Sequence, residues 1–233
     1  MKLPLLASAL LLLAPAVLAT AEPTPVGTWE ITLSGAEQGL AFATFEEDKE
    51  LTGYSLSDDA PGIFTLAGTW DIDEKGRLTG NYIRVVNGQS VNGTLAGKVT
   101  GRGITGKIVA ENGNFNFKAK PQGTPLNLTG DWSGLAVQKR TKVGQSYTVV
   151  PTALPGVFDI IGSGLAPLGG DFPITGTAVV HSTGRVQILT SSELDEDAVI
   201  ISALAGKVNV AKKQNVLKGF ETTGEPVKVT LER

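Results

Sequence analysis

The sequence of 233 residues contains no cysteine and only one histidine, His181. A chain without cysteine forms no disulfide, so core burial and sheet pairing must supply its stability. A single histidine and no cysteine exclude zinc sites built from several nitrogen or sulfur ligands. The chain also has no serine in the Gly-Asp-Ser-Gly setting that a chymotrypsin-like triad needs. We therefore expect no metal and no cofactor. Because His181 adjoins the turn formed by Ser182, Thr183 and Gly184, we expect it to be an exposed turn residue.

Clusters of basic side chains are also lacking in the sequence. The chain has 20 Lys and Arg residues against 23 Asp and Glu residues, which gives a net charge of −3 at pH 7. Proteins that bind nucleic acids carry a concentrated positive footprint that neutralises phosphates. We therefore expect neither nucleic acid nor another polyanion as a partner.

Helical periodicity is absent after residue 21, and the first 21 residues have the pattern of a targeting segment. Lys2 is followed by an apolar run that ends in small residues of the A-x-A type at Ala19 to Ala21. This arrangement is typical of a secretory signal that is cleaved, here after Ala21. The run is interrupted by Pro4 and Pro15 and is shorter than the roughly 20 residues of a membrane span. No cysteine follows it for lipid attachment, so we predict a periplasmic or extracellular protein without membrane insertion.

The remaining chain alternates apolar and polar residues with the period of a β-strand. Residues 26–34 place Trp29, Ile31 and Leu33 on one face and polar residues on the other. Further short strands follow, separated by turns such as Asn87-Gly88 and Asn112-Gly113, and Asn-Gly between alternating runs is a strong hairpin indicator. Residues 22–120 thus predict about eight strands in sequence-adjacent antiparallel order.

The same pattern occurs a second time after a short segment without periodicity. Residues 121–125 have the composition of a linker, and alternation restarts over residues 126–233. Motifs shared by the two parts are separated by between 103 and 109 positions; they are Gly-x-Trp at residues 27 and 130, Gly-Arg at 76 and 184, and Ala-Gly-Lys-Val at 96 and 205. Slowly growing offsets indicate an internal repeat with small loop insertions.

These observations predict an all-β protein of two tandem antiparallel up-and-down meanders. Each meander has about eight strands and is expected to form a closed or partly closed barrel, because closure removes exposed strand edges. The predicted organisation is a signal peptide at residues 1–21, a first barrel at 22–120, a linker at 121–125 and a second barrel at 126–233.

Two short motifs carry a resemblance to a known class of barrels. Gly27-Thr28-Trp29 is followed by Leu51-Thr52-Gly53-Tyr54, and Gly68-Thr69-Trp70 is followed by Leu78-Thr79-Gly80-Asn81-Tyr82. This order resembles the calycin-type barrels, the lipocalins and avidins, and lipocalin-like modules of secreted bacterial proteins. The resemblance implies a barrel that can hold a ligand.

The resemblance also implies roles for the aromatic residues. Trp29, Trp70 and Trp132 stand at the Gly-x-Trp position that plugs the floor of such barrels, so none is left to line an avidin-like biotin pocket. Tyr54 or Tyr82 would match the ligand-binding tyrosine of the avidins.

We therefore predict an exported, non-enzymatic protein that binds a small apolar ligand or a protein partner. The predicted ligand-binding residues are Tyr54, Tyr82, Leu165 and Leu168, the two leucines lying in an apolar, glycine-rich loop at residues 162–170. That loop, together with the loop at residues 58–62, would form a contact surface, or the longer loop would cover a barrel mouth.

Two alternatives remain at this point. About sixteen antiparallel strands after a signal peptide would suit an outer-membrane barrel, although aromatic girdles and a terminal aromatic residue are lacking. A hydrolase that uses a pair of carboxylates would draw on Asp71, Asp131, Asp159 and Asp171.

One acidic motif resembles half of a calcium loop. Asp71-x-Asp73-x-x-Gly76 has the spacing of the first ligands, but Tyr82 stands where an EF-hand loop needs its bidentate glutamate. We predict a polar hairpin turn at this motif. The acidic run at residues 193–197 is likewise predicted to be a solvated loop tip.

Overall fold

The computed structural model describes residues 24–36, 38–56, 62–86, 88–111, 113–139, 141–165, 170–195 and 198–233. Within these ranges the protein consists of strands and turns, and none of its segments is helical. Accordingly, the described chain contains no helix with the length and apolar character needed to cross a membrane. The all-β prediction is confirmed.

The first eight strands form one closed antiparallel barrel. They are β1 (Gly27–Gly35), β2 (Gly39–Phe45), β3 (Glu50–Leu56), β4 (Ile63–Ile72), β5 (Arg77–Val86), β6 (Gln89–Thr100), β7 (Gly103–Ala110) and β8 (Gly113–Pro121). Each strand pairs with the next, and β1 closes the barrel by pairing with β8.

The last eight strands form a second closed barrel with the same order. They are β9 (Gly130–Gln138), β10 (Thr141–Pro151), β11 (Val157–Leu165), β12 (Asp171–Val180), β13 (Arg185–Asp195), β14 (Ala198–Lys207), β15 (Gln214–Glu221) and β16 (Pro226–Glu232). Closure is made by β16 and β9. No described strand pairs across the two barrels, so the prediction of two tandem closed barrels is confirmed.

The hairpin between β4 and β5 shows how a polar turn ends a strand. Asp73 Oδ1 accepts hydrogen bonds from the backbone N–H groups of Lys75 at 2.9 Å and Arg77 at 2.8 Å, and Gly76 adopts a φ of 72°. The bond from Arg77 is the main cause that holds the pKa of Asp73 below its ordinary value. The predicted polar hairpin turn is confirmed, because the Asp73 carboxylate accepts hydrogen bonds from the backbone of the turn.

Indole rings lie in the apolar core of each barrel. Trp29 Nε1 donates to the Pro25 carbonyl oxygen at 2.6 Å, and Trp132 Nε1 donates to the Leu128 carbonyl oxygen at 2.8 Å. Both acceptors stand four residues before the ring, in the segment that enters the first strand of the barrel. The two copies therefore satisfy the one polar atom of a buried indole in the same way.

Trp70 also lies in the core of the first barrel. Its Nε1 donates to the Glu46 carbonyl oxygen at 3.1 Å, and the Lys49 ammonium lies 4.1 Å from its ring centroid. Phe45 meets the indole edge-on at a centroid distance of 5.8 Å. The first barrel thus contains two indoles, whereas the second contains Trp132 alone.

The two barrels pack against each other through outward-facing side chains of β2 and β3 in the first barrel and of β11, β12 and β13 in the second. Buried apolar residues from both barrels form this contact; they are Leu40, Phe42, Leu56, Val157, Val179 and Leu189. Phe42 and Val179 are each 0% exposed. We call this contact the barrel interface. Residues 122–129, which join the barrels, form no strand, and Gln122 N–H donates to the Thr28 carbonyl oxygen at 2.9 Å.

Replacing a core indole should destabilise the barrel that contains it. We expect Trp29→Ala and Trp132→Ala each to lower the free energy of unfolding by about 3–5 kcal/mol, because each leaves a large cavity and an unpaired backbone acceptor. Urea denaturation followed by circular dichroism measures the loss. The control is Ile161→Ala at an outward-facing, exposed position, which we expect to change stability by less than about 0.5 kcal/mol. Losses below about 1 kcal/mol for both tryptophan variants would contradict the core placement.

Candidate functional site

A cavity inside the second barrel is larger than the two other barrel cavities described below. It has a volume of about 240 Å³ and occupies the end of the barrel near the β9–β10 hairpin. Apolar and polar residues from seven strands line it; they are Ala136, Gln138, Thr141, Val143, Gln145, Tyr147, Phe172, Thr190, Ser192, Ile200, Ser202, Leu204, Glu221, Val227 and Val229. We call it the upper cavity.

Four polar side chains of the upper cavity form two hydrogen-bonded pairs. Tyr147 Oη donates to Gln145 Oε1, and Gln138 Nε2 donates to Glu221 Oε2 at 2.6 Å. Burial raises the pKa of Tyr147, and burial is also the main cause that raises the pKa of Glu221. The wall therefore offers hydroxyl, amide and carboxyl groups to a ligand within a largely apolar surface.

The second barrel also contains a smaller chamber of about 30 Å³ next to Trp132. Leu128, Ile160 and Leu217 contribute to its apolar lining. A water molecule needs about 10–15 Å³ measured in this way, so the chamber has room for two or three waters at most. It is too small for an organic ligand.

The first barrel contains a smaller cavity of about 60 Å³. Its lining is mainly apolar, with Phe64, Phe115 and Phe117 among its members, and it includes Tyr82 and Arg84. Arg84 is only 4% exposed, and its guanidinium carbon lies 4.8 Å from the Phe64 ring centroid. Arg84 is not among the site residues predicted from the sequence, although it follows Leu78, Gly80 and Tyr82 on the same alternating face of β5.

The different cavity sizes follow from side chains at matching positions. In the first barrel Leu33 of β1 lies opposite Phe117 of β8. In the second barrel Ala136 of β9 lies opposite Val229 of β16. Smaller side chains at the same two wall positions leave more of the second interior unfilled.

The structure does not bring the predicted ligand-binding residues together. Tyr82 lies inside the first barrel, but Tyr54 faces the second barrel from outside the first. Its hydroxyl donates to the Pro155 carbonyl oxygen at 2.8 Å, its ring stacks on Phe42 at 5.1 Å, and burial raises its pKa to about 12. Leu165 is 57% exposed, and Leu168 lies outside the described residues.

The predicted contact loops are only partly described. Of residues 58–62, only Gly62 is described, and in the loop at 162–170 residues 162–165 belong to β11 while 166–169 lie outside the described ranges. Residues 196–197 of the acidic run also lie outside them.

The candidate carboxylates of a hydrolase stand apart from these cavities. All four are exposed, and none lines a barrel cavity; they are Asp71, Asp131, Asp159 and Asp171. Asp71 pairs with Lys49 at 3.5 Å, and Asp131 Oδ1 accepts a hydrogen bond from Thr148 Oγ1 at 2.9 Å. The part of the chain that is described holds no group of three potential metal-ligating side chains among His, Cys, Asp and Glu.

The prediction that His181 is an exposed turn residue is wrong. It is 3% exposed, its Nε2 donates to the Ala41 carbonyl oxygen at 3.2 Å, and Phe42 meets its ring edge-on at 5.2 Å. Burial is the main cause that lowers its pKa; the Glu30 carboxylate and the bond to Ala41 oppose this, and Arg185 adds to it. The turn is covered by the first barrel, which the local sequence does not reveal.

A buried carboxylate completes the polar part of the barrel interface. Glu30 of β1 accepts hydrogen bonds from Ser182 N–H at 2.6 Å and from Ser182 Oγ at 2.9 Å. Gln187 Oε1 accepts a bond from Leu40 N–H at 2.8 Å. These bonds cross between the barrels and fix their register against each other.

Beside this contact, a groove of about 610 Å³ opens between the barrels. The first barrel contributes β1 and β8 and the second contributes the β12–β13 turn, β13 and the end of β14. The residues that line it are Glu30, Thr32, Ser34, Lys118, Lys120, His181, Thr183, Arg185 and Lys207. We call it the inter-barrel groove.

Comparisons with known proteins add one structural likeness. No protein-family model and no curated protein matches the sequence. A solved structure of a redesigned β-barrel, mFAP1, bound to DFHBI is similar to part of the chain at 16% sequence identity and a TM-score of 0.39. The likeness covers 46% of this chain and 94% of that one.

The buried His181 should make stability depend on pH. Its pKa in the folded protein lies below the value of about 6.5 in the unfolded chain, so the unfolded state binds the proton more readily. The stabilisation is complete above about pH 6.5 and is lost as the pH falls through the folded pKa. We expect the free energy of unfolding of the wild type, minus that of His181→Gln, to decrease as the pH is lowered from about 7.5 to about 5. Denaturant titrations at a series of pH values measure this difference, and a difference that stays constant or rises on acidification would contradict the burial of His181.

Proposed function

We propose that this protein is an exported, non-enzymatic β-barrel protein whose second barrel binds a small, mainly apolar ligand. The upper cavity is the observation that carries the proposal. Its volume of about 240 Å³ lies just under the range of about 300–1,000 Å³ that is common for drug-sized ligands. A compact ligand of one or two rings, or a short chain, suits this space.

The lining of the upper cavity indicates the chemistry of the ligand. Val143, Phe172 and Leu204 provide apolar contact, while Gln138, Gln145 and other polar side chains provide a few hydrogen-bonding groups. Ligand sites usually combine a mostly apolar wall with a small number of polar groups that orient the ligand. We infer a ligand with an apolar body and at least one hydrogen-bond acceptor or donor.

The first barrel has a different part in this proposal. Its cavity of about 60 Å³ is too small for the same ligand, and its interior is filled by two indoles and several phenylalanines. We propose that it supports the second barrel through the barrel interface. The predicted alternative, a protein partner held by the loops at 58–62 and 162–170, depends on residues that are mostly outside the described ranges.

Export and the lack of enzymatic activity rest on separate observations. The pattern of residues 1–21 supports export. The exposed positions of Asp71, Asp131, Asp159 and Asp171 do not favour a hydrolase that needs two acids across one cleft. Exposed lysines on the outer wall of the first barrel, such as Lys98 and Lys107, favour water over lipid around it.

The neutral dye prodan tests the proposal, because it combines a naphthalene ring with a carbonyl acceptor and its emission shifts to the blue in an apolar site. We expect saturable binding to the wild type and a loss of affinity of at least about tenfold, or about 1.4 kcal/mol, in Ser202→Phe. Ser202 lines the upper cavity, so a phenyl ring at this position fills it. Fluorescence titration measures the affinity.

The matched control is Ala203→Phe on the same strand. Residue 203 is exposed on the outside of the barrel, so the same side chain is added without entering the cavity. We expect wild-type prodan affinity in this variant. Equal losses in both variants, or no saturable binding to the wild type, would contradict a ligand site in the second barrel.

A further inference from the structure

The inter-barrel groove gathers positive charge from distant parts of the chain. Lys118 and Lys120 of β8 form one wall, and Arg185 and Lys207 of the second barrel form the other. The sequence spreads these residues over about ninety positions in a chain with a net charge of −3, so no basic cluster is visible in it. The fold creates the cluster by docking one barrel on the other.

The four cations of the groove form no close ion pair with a carboxylate of the described residues, although Glu30 of β1 lies directly opposite Lys120 of β8. None of them has an Asp or Glu oxygen within 4.0 Å in the part of the chain that is described. The single carboxylate in the groove, Glu30, accepts one hydrogen bond from Ser182 N–H and one from Ser182 Oγ. Four positive side chains against one carboxylate leave a positive excess in a concave site, where the walls concentrate the electrostatic potential.

The strand register adds an unfavourable contact that an anion would relieve. Arg185 of β13 lies directly opposite Lys207 of β14. Like charges at directly opposite positions destabilise an antiparallel pair. Arg185 Nη1 also reaches across to Thr32 Oγ1 of the first barrel at 3.5 Å, so the guanidinium lies over the seam between the barrels.

We propose that the inter-barrel groove binds a small anion with two or more phosphate groups. The Arg185 guanidinium offers a planar fork for two phosphate oxygens, and the lysines act as point charges around it. The hydroxyls of Thr32, Ser34 and Thr183 offer further donors. The confined volume of about 610 Å³ and the net negative charge of the chain favour a compact anion over a long polyanion. This site is separate from the upper cavity and does not depend on the ligand proposed there.

Inorganic pyrophosphate is the probe for this proposal. In low-salt buffer, where screening is weak, we expect saturable changes in the NMR amide signals of Thr32 and of the turn from Ser182 to Arg185. The double variant Arg185→Gln/Lys207→Gln should weaken pyrophosphate binding by at least about tenfold, because it removes the charge-assisted contacts of one wall. The double variant Lys118→Gln/Lys120→Gln should weaken it as well, since it neutralises the opposite wall without touching the Arg185 and Lys207 pair.

The control is a second pair of directly opposite cations outside the groove. Lys218 of β15 lies opposite Lys228 of β16, so Lys218→Gln/Lys228→Gln removes the same charge and the same repulsion. We expect wild-type pyrophosphate binding in this variant. An equal loss in the control, signal changes spread over the whole surface, or no saturable binding would overturn the proposal.

A second arm of the experiment distinguishes a free phosphate compound from a phosphorylated lipid headgroup. Sedimentation with phosphatidylcholine vesicles is compared in the presence and absence of phosphatidic acid. Sedimentation that requires phosphatidic acid and is lost in the Arg185→Gln/Lys207→Gln variant supports the groove with a lipid headgroup as the source. Pyrophosphate binding without sedimentation supports the groove with a free anion as the source.

Discussion

The apolar contact between the outer walls of the two barrels is the constraint on which the other features depend. Phe42 and Val179 lie at its centre, and neither is exposed to solvent. A barrel strand usually buries one face only, whereas here outward side chains such as Phe42 of β2 and Val179 of β12 are buried by the other barrel. This contact covers His181, places the Glu30 carboxylate on the Ser182 donors, and forms the inter-barrel groove beside it. Without it, each of these features would be part of an ordinary exposed surface.

The two barrels share a common frame and have different interiors. Both use an indole whose Nε1 donates to a carbonyl oxygen four residues earlier, at Trp29 and at Trp132. The wall positions differ, since the pair Leu33 and Phe117 in the first barrel corresponds to the smaller pair Ala136 and Val229 in the second. The first barrel has the smaller cavity, and the second barrel has the larger internal space. Packing lost at the upper cavity is therefore confined to one of the two cores, so its effect on stability is independent of the other core.

Much of the fold could be predicted from the sequence, because alternation and turn residues are local signals. The strand order, the repeat and the turn at Asp73 follow from such signals. The pairing of one outer wall with the other barrel is not a local property of the sequence. The pattern alone therefore placed His181 on the surface, and it did not indicate that Tyr54 faces the second barrel. A signal was present in β2, whose residues Leu40–Phe45 are apolar almost throughout, as in strands buried on both faces. The cations of the groove carry no such signal, since only the docking of the barrels brings them together.

The most direct test of this account is whether the two barrels behave as one rigid body in solution. Residual dipolar couplings measured on the backbone amides of the wild-type protein in a weakly aligning medium report the orientation of both barrels at once. If the barrel interface is as described, couplings from β1–β8 and from β9–β16 fit a single alignment tensor with the barrels in their present orientation. Two alignment tensors of different magnitude, or a single tensor that requires a different relative orientation, would contradict the account.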